Sequence, residues 1–113
     1  MTITEIEAND LHQLIEEELS VVGSDRRWRN AVLRAKVMIE SNLPLHWTGS
    51  ALLVFSESGA IYRASDDECQ CKAFTEGFPC KHRAAFKLIR RLNTENLYNL
   101  RASAAFPRLI FRR

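Results

Sequence analysis

Apolar residues recur at three- and four-residue intervals through the first forty positions, which is the spacing of one helix face. The first stripe predicts a helix from about Asp10 to Val22, with Gly23 ending it. Its apolar positions are Leu11, Leu14, Ile15, Leu19 and Val22. The acids Glu16 to Glu18 lie mostly on the other side, where they form either a solvated face or a surface that engages basic residues elsewhere.

A second apolar stripe predicts a helix over about residues 25–40. Leu33 and Val37 lie on a different side of this helix from the main stripe, so we expect it to pack twice, against the first helix and against a sheet. The alternative is that this second surface belongs to a homodimer interface formed by the N-terminal helices. The main stripe consists of Trp28, Val32, Ala35 and Ile39, with Ala31 and Met38 beside it.

The second half of the chain begins with two short runs that are typical of strands. They cover residues 51–55 and 60–64, and the loop between them, 56–59, contains a glycine suited to a hairpin turn. A third helix is expected to begin after Pro79 and to reach at least Leu92, with a further helical stretch near 95–104. Pro107 should end regular structure and leave a basic tail, 108–113. The pattern indicates an α+β fold in one small domain.

Length, composition and charge narrow the class of protein. The 113 residues, 46% apolar and 27% charged, suit one globular domain. No apolar run is long enough to span a bilayer, and the first residues do not resemble a secretory signal, so the expected location is cytoplasmic, or nuclear in a eukaryote. Residues 1–62 carry five Lys/Arg against nine acids, whereas residues 63–113 carry eleven against five. The basic half favours a polyanionic partner.

The three cysteines and one histidine form a compact group. Cys69 and Cys71 are followed, after eight residues, by Cys80 and His82. An odd number of closely spaced cysteines does not suit a disulfide framework, while three thiolates and one imidazole make a closed tetrahedral set for structural zinc. Alternate residues of an extended segment point the same way, and a helix N-terminus favours thiolates. The sequence therefore predicts one zinc ion held by these four side chains.

The same residues resemble the SWIM zinc finger, whose signature is Cys-x-Cys, a spacer and Cys-x-His. The resemblance rests on the hairpin ending in Tyr62, on Cys-Gln-Cys-Lys-Ala-Phe at 69–74 and on Gly-Phe-Pro-Cys-Lys-His-Arg-Ala-Ala at 77–85. It implies a ββα finger over residues 47–92, a zinc-ligand role for the four side chains, and binding of DNA or of other proteins. An N-terminal helical region, 1–46, would precede this zinc knuckle, and a C-terminal helix and basic tail, 93–113, would follow it.

The predicted third helix has a basic side. Arg83, Lys87, Arg90 and Arg91 cluster opposite its apolar face, immediately after the zinc ligands. Such a stripe suits a phosphate backbone or a major groove, so DNA is the expected partner and another nucleic acid the alternative. Further arginines would extend the patch: Arg101, Arg108, Arg112 and Arg113.

A second hypothesis is a protein-interaction adaptor in a recombination, transposition or chromatin complex. It would present Phe74, Phe78 and Phe86 to a protein partner. Catalysis is not expected, because the cysteines are all assigned to zinc and four protein ligands leave the ion no open position.

Overall fold

A computed structural model of the chain describes residues 3–56, 58–71, 75–95 and 108–112. Their order along the chain is one strand, two helices, three strands, one helix and a last strand. The elements are β1 (Ile3–Glu7), α1 (Ala8–Val22), α2 (Arg26–Glu40), β2 (Leu45–Trp47), β3 (Leu52–Phe55), β4 (Ile61–Ala64), α3 (Lys81–Glu95) and β5 (Arg108–Arg112). The predicted α+β class is confirmed.

The two helices that were predicted from the apolar periodicity are confirmed as α1 and α2. Gly23, with a φ of 61°, ends α1, and its backbone N–H donates to the Leu19 carbonyl. The Asp25 carboxylate then caps α2 by accepting from the backbone N–H groups of Arg27 and Trp28, at 3.1 and 3.2 Å. Within the described part of the chain, no helix is long and apolar enough to cross a membrane.

The second packing surface predicted on α2 is wrong for the described fold. Leu33 is 43% exposed and Val37 is 64% exposed, so neither contributes to the core. The helix buries one broad face instead, which consists of Ala31, Val32, Ala35, Met38 and Ile39. The helix meets α1, α3 and strand β5 of the sheet, so the predicted contacts with the first helix and the sheet are present, but Leu33 and Val37 take no part in them.

The strands form one five-stranded sheet in the order β1-β5-β2-β3-β4. The predicted hairpin is confirmed as β3 and β4, which pair antiparallel with Val54 opposite Tyr62. Strands β1 and β2 were not expected from the sequence. Strand β2 extends the hairpin by pairing antiparallel with β3.

The predicted basic tail is a strand, which corrects the expectation for this segment. Strand β5 lies inside the sheet, parallel to β1 and antiparallel to β2, and buries Leu109 and Phe111. Its register is supported by the Asn42 side chain, whose Oδ1 accepts from the backbone N–H of Phe111 at 2.7 Å. The helical stretch expected near 95–104 lies outside the described residues beyond Glu95, as do Arg101 and Arg113.

Helix α3 occupies the centre of the fold. It packs against α1, α2, β3 and β4, and its buried face includes Ala84, Ala85, Leu88 and Ile89. Phe86 stacks on Trp47 of β2, with ring centroids 5.5 Å apart. The residues that begin this helix are therefore fixed by packing on several sides.

The position of β5 predicts the effect of truncating Phe111. Phe111→Ala removes a 7%-exposed side chain from the sheet and should lower the free energy of unfolding by about 3–5 kcal/mol. The matched control is Val37→Ala, which shortens an apolar side chain that is 64% exposed and should change stability by less than about 0.5 kcal/mol. Urea denaturation of the zinc-loaded protein measures both. Equal stability of the two variants would show that residues 108–112 behave as a tail.

Candidate metal centre

The four predicted ligands come from two segments that flank one loop. Cys69 follows a tight turn after β4, closed by a hydrogen bond from the Ser65 N–H to the Glu68 carbonyl at 2.8 Å, and it forms an isolated bridge with Ala64. Cys80 immediately precedes α3, and its carbonyl accepts from the Ala84 N–H in the first turn of the helix. The hairpin thus supplies one pair of candidate ligands and the helix start supplies the other.

The structure brings these four side chains together. Their candidate ligand atoms all lie within 4.8 Å of one another, and each side chain is at least nine-tenths buried. The Cys69 Sγ is 3.7 Å from the His82 Nδ1. In a tetrahedral zinc site, Zn–S and Zn–N bonds of about 2.3 and 2.0 Å place sulfur and nitrogen about 3.5 Å apart. The observed spacing and the soft Cys₃His donor set therefore support one structural zinc ion.

Neighbouring residues orient the cluster. The Tyr62 ring stacks on the His82 imidazole, with centroids 5.1 Å apart, and so restricts rotation of the ring. Gln70, between the first two cysteines, points the other way and accepts a hydrogen bond from the Arg63 backbone N–H at 3.2 Å. The first contact ties the start of α3 to β4, and the second ties Gln70, between the first two cysteines, to the same strand. Such outer contacts are what hold metal ligands in a fixed direction.

Two of the three thiols differ in how readily they ionise. The pKa of Cys80 is lowered to about 4, chiefly because the Cys69 thiol donates a hydrogen bond to it, with further support from His82 and from the Arg83 backbone N–H. The same hydrogen bond with Cys80, followed by burial, raises the pKa of Cys69 far above its ordinary value. Of this pair, Cys80 is therefore the thiol that ionises more readily, and Cys69 is the one that retains its proton more strongly. Zinc binding has to displace that proton.

The structure places the four predicted nucleic-acid contacts around α3, but they do not form one uniform patch. Arg91 turns toward α1, where its Nη1 lies 2.9 Å from the Glu18 Oε1 and its Nη2 contacts the Glu17 carboxylate. Two acids of the run Glu16 to Glu18 therefore engage the basic half, as the second interpretation of that run predicts. Arg91 is 34% exposed and Glu18 only 13%.

The other three basic residues lie between α2 and the turn after β4. Arg90 forms an ion pair with the Asp66 carboxylate at 3.3 Å, and Arg83 donates to the Asp66 carbonyl at 2.5 Å. Lys87 lies over the Trp28 ring of α2, 4.5 Å from its centroid, and the Arg83 guanidinium lies over the same ring at 5.6 Å. Trp28 was predicted only as a core residue. It is half-buried and supports two of the predicted contacts.

The phenylalanines of the adaptor hypothesis differ in accessibility. Phe86 is 3% exposed and packs in the core, so the prediction that it is presented to a partner is wrong. Phe78 is 40% exposed, with the Arg27 guanidinium 4.3 Å from its ring centroid. Phe74 lies outside the described residues.

The cluster predicts that zinc stabilises the whole domain, because its three cysteines belong to the same core as the helices. Cys71→Ser should abolish stoichiometric zinc binding and lower the thermal midpoint of unfolding. The control is Gln70→Ala, which changes the neighbouring, outward-pointing side chain and should retain one zinc per chain. Zinc content by mass spectrometry and thermal unfolding with and without chelator measure both effects. Unchanged unfolding in excess chelator would contradict a structural role for zinc.

The proton on Cys69 predicts that zinc affinity rises with pH. Deprotonation of a thiol whose pKa is raised becomes easier as pH increases, so each thiol proton displaced should strengthen binding about tenfold per pH unit below that pKa. Competition with a chromophoric chelator at pH 6 and pH 8, corrected for the chelator's own protonation, measures this slope. The same affinity at both pH values would show that no proton is displaced.

Comparison with known families gives an independent result for the same segment. Residues 52–88, about a third of the chain, match the family model of the SWIM zinc finger. The match begins in β3, includes β4 and all four candidate ligands, and ends within α3. No curated protein and no solved structure matches the chain. SWIM zinc fingers are typically binding modules for nucleic acids or proteins. Residues 52–88 are therefore similar to a SWIM zinc finger, and this segment includes all four candidate zinc ligands.

Proposed function

We propose that this chain is a non-enzymatic, zinc-stabilised module that binds DNA through the basic side of α3. The assigned zinc ligands are Cys69, Cys71, Cys80 and His82. Four protein donors complete a tetrahedral shell, so the ion has no open position for a substrate or an activated water. The metal's role is to fix the start of α3 and, with it, the direction of the basic side chains that follow.

The observation that carries this proposal is the arrangement of Arg83, Lys87 and Arg90. These residues lie at intervals of four and three along a helix whose opposite face is buried, so their side chains leave the helix on one side. Trp28 and Asp66 hold them in place from the two flanks. A row of oriented cations on a rigid helix is suited to the regularly spaced phosphates of a duplex.

The existing contacts of these residues are compatible with phosphate binding. Arg90 is 44% exposed and its partner Asp66 is 64% exposed, and exposed ion pairs of this kind contribute only about 0–1 kcal/mol. A phosphate oxygen can therefore replace the Asp66 carboxylate at little cost. Arg91 differs, because it is bound by two carboxylates of α1. We assign Arg91 to the packing of α1 on α3 and not to DNA.

A protein-interaction adaptor is the second candidate, and exposed apolar side chains favour it. Leu33, Val37 and Phe78 all remain accessible in the folded chain. Binding of a protein partner through these apolar side chains would not be weakened by charge removal on α3. The two candidates therefore separate by which substitutions weaken binding.

Charge removal on α3 tests the DNA proposal. Lys87→Gln with Arg90→Gln should weaken binding of a mixed-sequence duplex and reduce the slope of log affinity against log salt by about 0.9 for each phosphate no longer neutralised. Fluorescence anisotropy at roughly 50 and 200 mM salt spans the range in which phosphate contacts are evident. The control is Arg26→Gln, an exposed basic residue at the start of α2. Equal weakening in both variants, or no duplex binding at low salt, would contradict the proposal.

A further inference from the structure

An open groove lies beside the metal centre, between α2 and the start of α3. One part has a volume of about 930 Å³ and extends to β4, where Tyr62 lines it. The adjoining part has a volume of about 490 Å³ and extends to Phe78. The two parts share Asn30, Arg34, Cys71, Lys81 and His82 as lining residues, so they form one continuous depression. We call it the metal-side groove.

Outside the metal cluster, the charged side chains that line the metal-side groove are all positive among the described residues. Arg27 and Arg34 enter it from α2, and Lys81 enters from the first turn of α3. All three side chains belong to exposed residues. Among the described residues that line the groove, none is Asp or Glu. The groove therefore complements a negatively charged ligand that is long enough to contact several cations.

Aromatic and apolar side chains line the groove together with these cations. Tyr62 lines one part and is half-buried, and Phe78 lines the other and is 40% exposed, with the Arg27 guanidinium over its ring. In the part that Tyr62 lines, Leu33 and Val37 of α2 present exposed apolar side chains. Aromatic platforms inside a cationic groove are the features that bind unpaired nucleotides, since bases stack on the rings while phosphates meet the cations.

We infer that the metal-side groove binds an unpaired strand of nucleic acid. Arg27, Arg34 and Lys81 contact its phosphates, and Phe78 and Tyr62 form the surfaces on which its bases stack. This inference rests on the proposed nucleic-acid function but assigns a second surface, distinct from the basic side of α3, and a different class of ligand. A duplex does not satisfy it, because paired bases are stacked on each other and offer no free faces to the rings.

An acidic peptide is the other ligand of matching charge, and the structure disfavours it. An extended peptide usually gains affinity by adding a strand to an open sheet edge. The edge strand next to the groove is β4, and the segment that follows it already occupies its second half, through the Ala64–Cys69 bridge and the hydrogen bond from the Arg63 N–H to Gln70. The groove then offers a peptide side-chain contacts without a backbone ladder.

Two groove variants test the inference with the zinc-loaded chain. Phe78→Ala removes a stacking surface and should weaken binding of a mixed-sequence single strand of about 12 nucleotides by about five- to 150-fold. Arg34→Gln should weaken it and reduce its salt slope by about 0.7, the value for one phosphate of a single strand. Neither variant should change duplex affinity. Arg26→Gln is the matched control for charge, because Arg26 is not among the described residues that line the groove. Zinc content and thermal unfolding establish that each variant is folded.

The outcomes separate this inference from the proposed function. If Phe78→Ala and Arg34→Gln bind the single strand as Arg26→Gln does, while Lys87→Gln/Arg90→Gln loses duplex binding, the groove inference is overturned and the α3 proposal stands. If neither DNA binds at low salt, both fail. A polyglutamate peptide that binds through Phe78 when the single strand does not would assign the groove to a protein partner and also overturn the inference.

Discussion

The joining of the hairpin to α3 through three thiols and one imidazole is the constraint on which the other features depend. Cys69 and Cys71 leave β4, Cys80 and His82 begin α3, and the four side chains meet in a buried cluster. Burying thiolates without a cation is unfavourable, and the low pKa of Cys80 is sustained by hydrogen bonds that zinc would replace with stronger bonds. Once the start of α3 is fixed, its apolar face reaches α1, α2 and the sheet together.

The environment of each cation on α3 follows from that placement. All four basic residues leave the helix away from its buried face, yet their neighbours differ. Arg91 meets two acids of α1, whereas Lys87 lies on an indole of α2 and Arg90 meets a turn acid beside the finger. A buried or half-buried ion pair fixes a side chain within the fold, while an exposed one is readily exchanged for another anion. Equal charge along a helix therefore does not mean equal availability to a ligand.

Sequence reasoning succeeded where the signal was local. The helical stripes, the hairpin and the grouping of Cys69 with His82 depend on spacings of a few residues, and each is present in the fold. It failed for β5, because this segment becomes a strand by pairing with β1, about a hundred positions earlier, and with β2, about sixty positions earlier. The exposure of Val37 and the approach of Arg27 to Phe78 likewise depend on how α2 meets the finger. Periodicity describes one helix at a time and contains no information about how two elements pack together.

The first turn of α3 shows how one metal centre can position two surfaces. Consecutive residues of a helix differ in direction by about 100°, so Lys81 and Arg83 point to sides about 200° apart, with His82 between them. Lys81 lines the metal-side groove, His82 belongs to the metal cluster, and Arg83 lies over Trp28 on the other flank. Both neighbours therefore take their directions from the helical turn that includes His82. In the proposed function, the zinc ion would position both surfaces without touching a phosphate or a base.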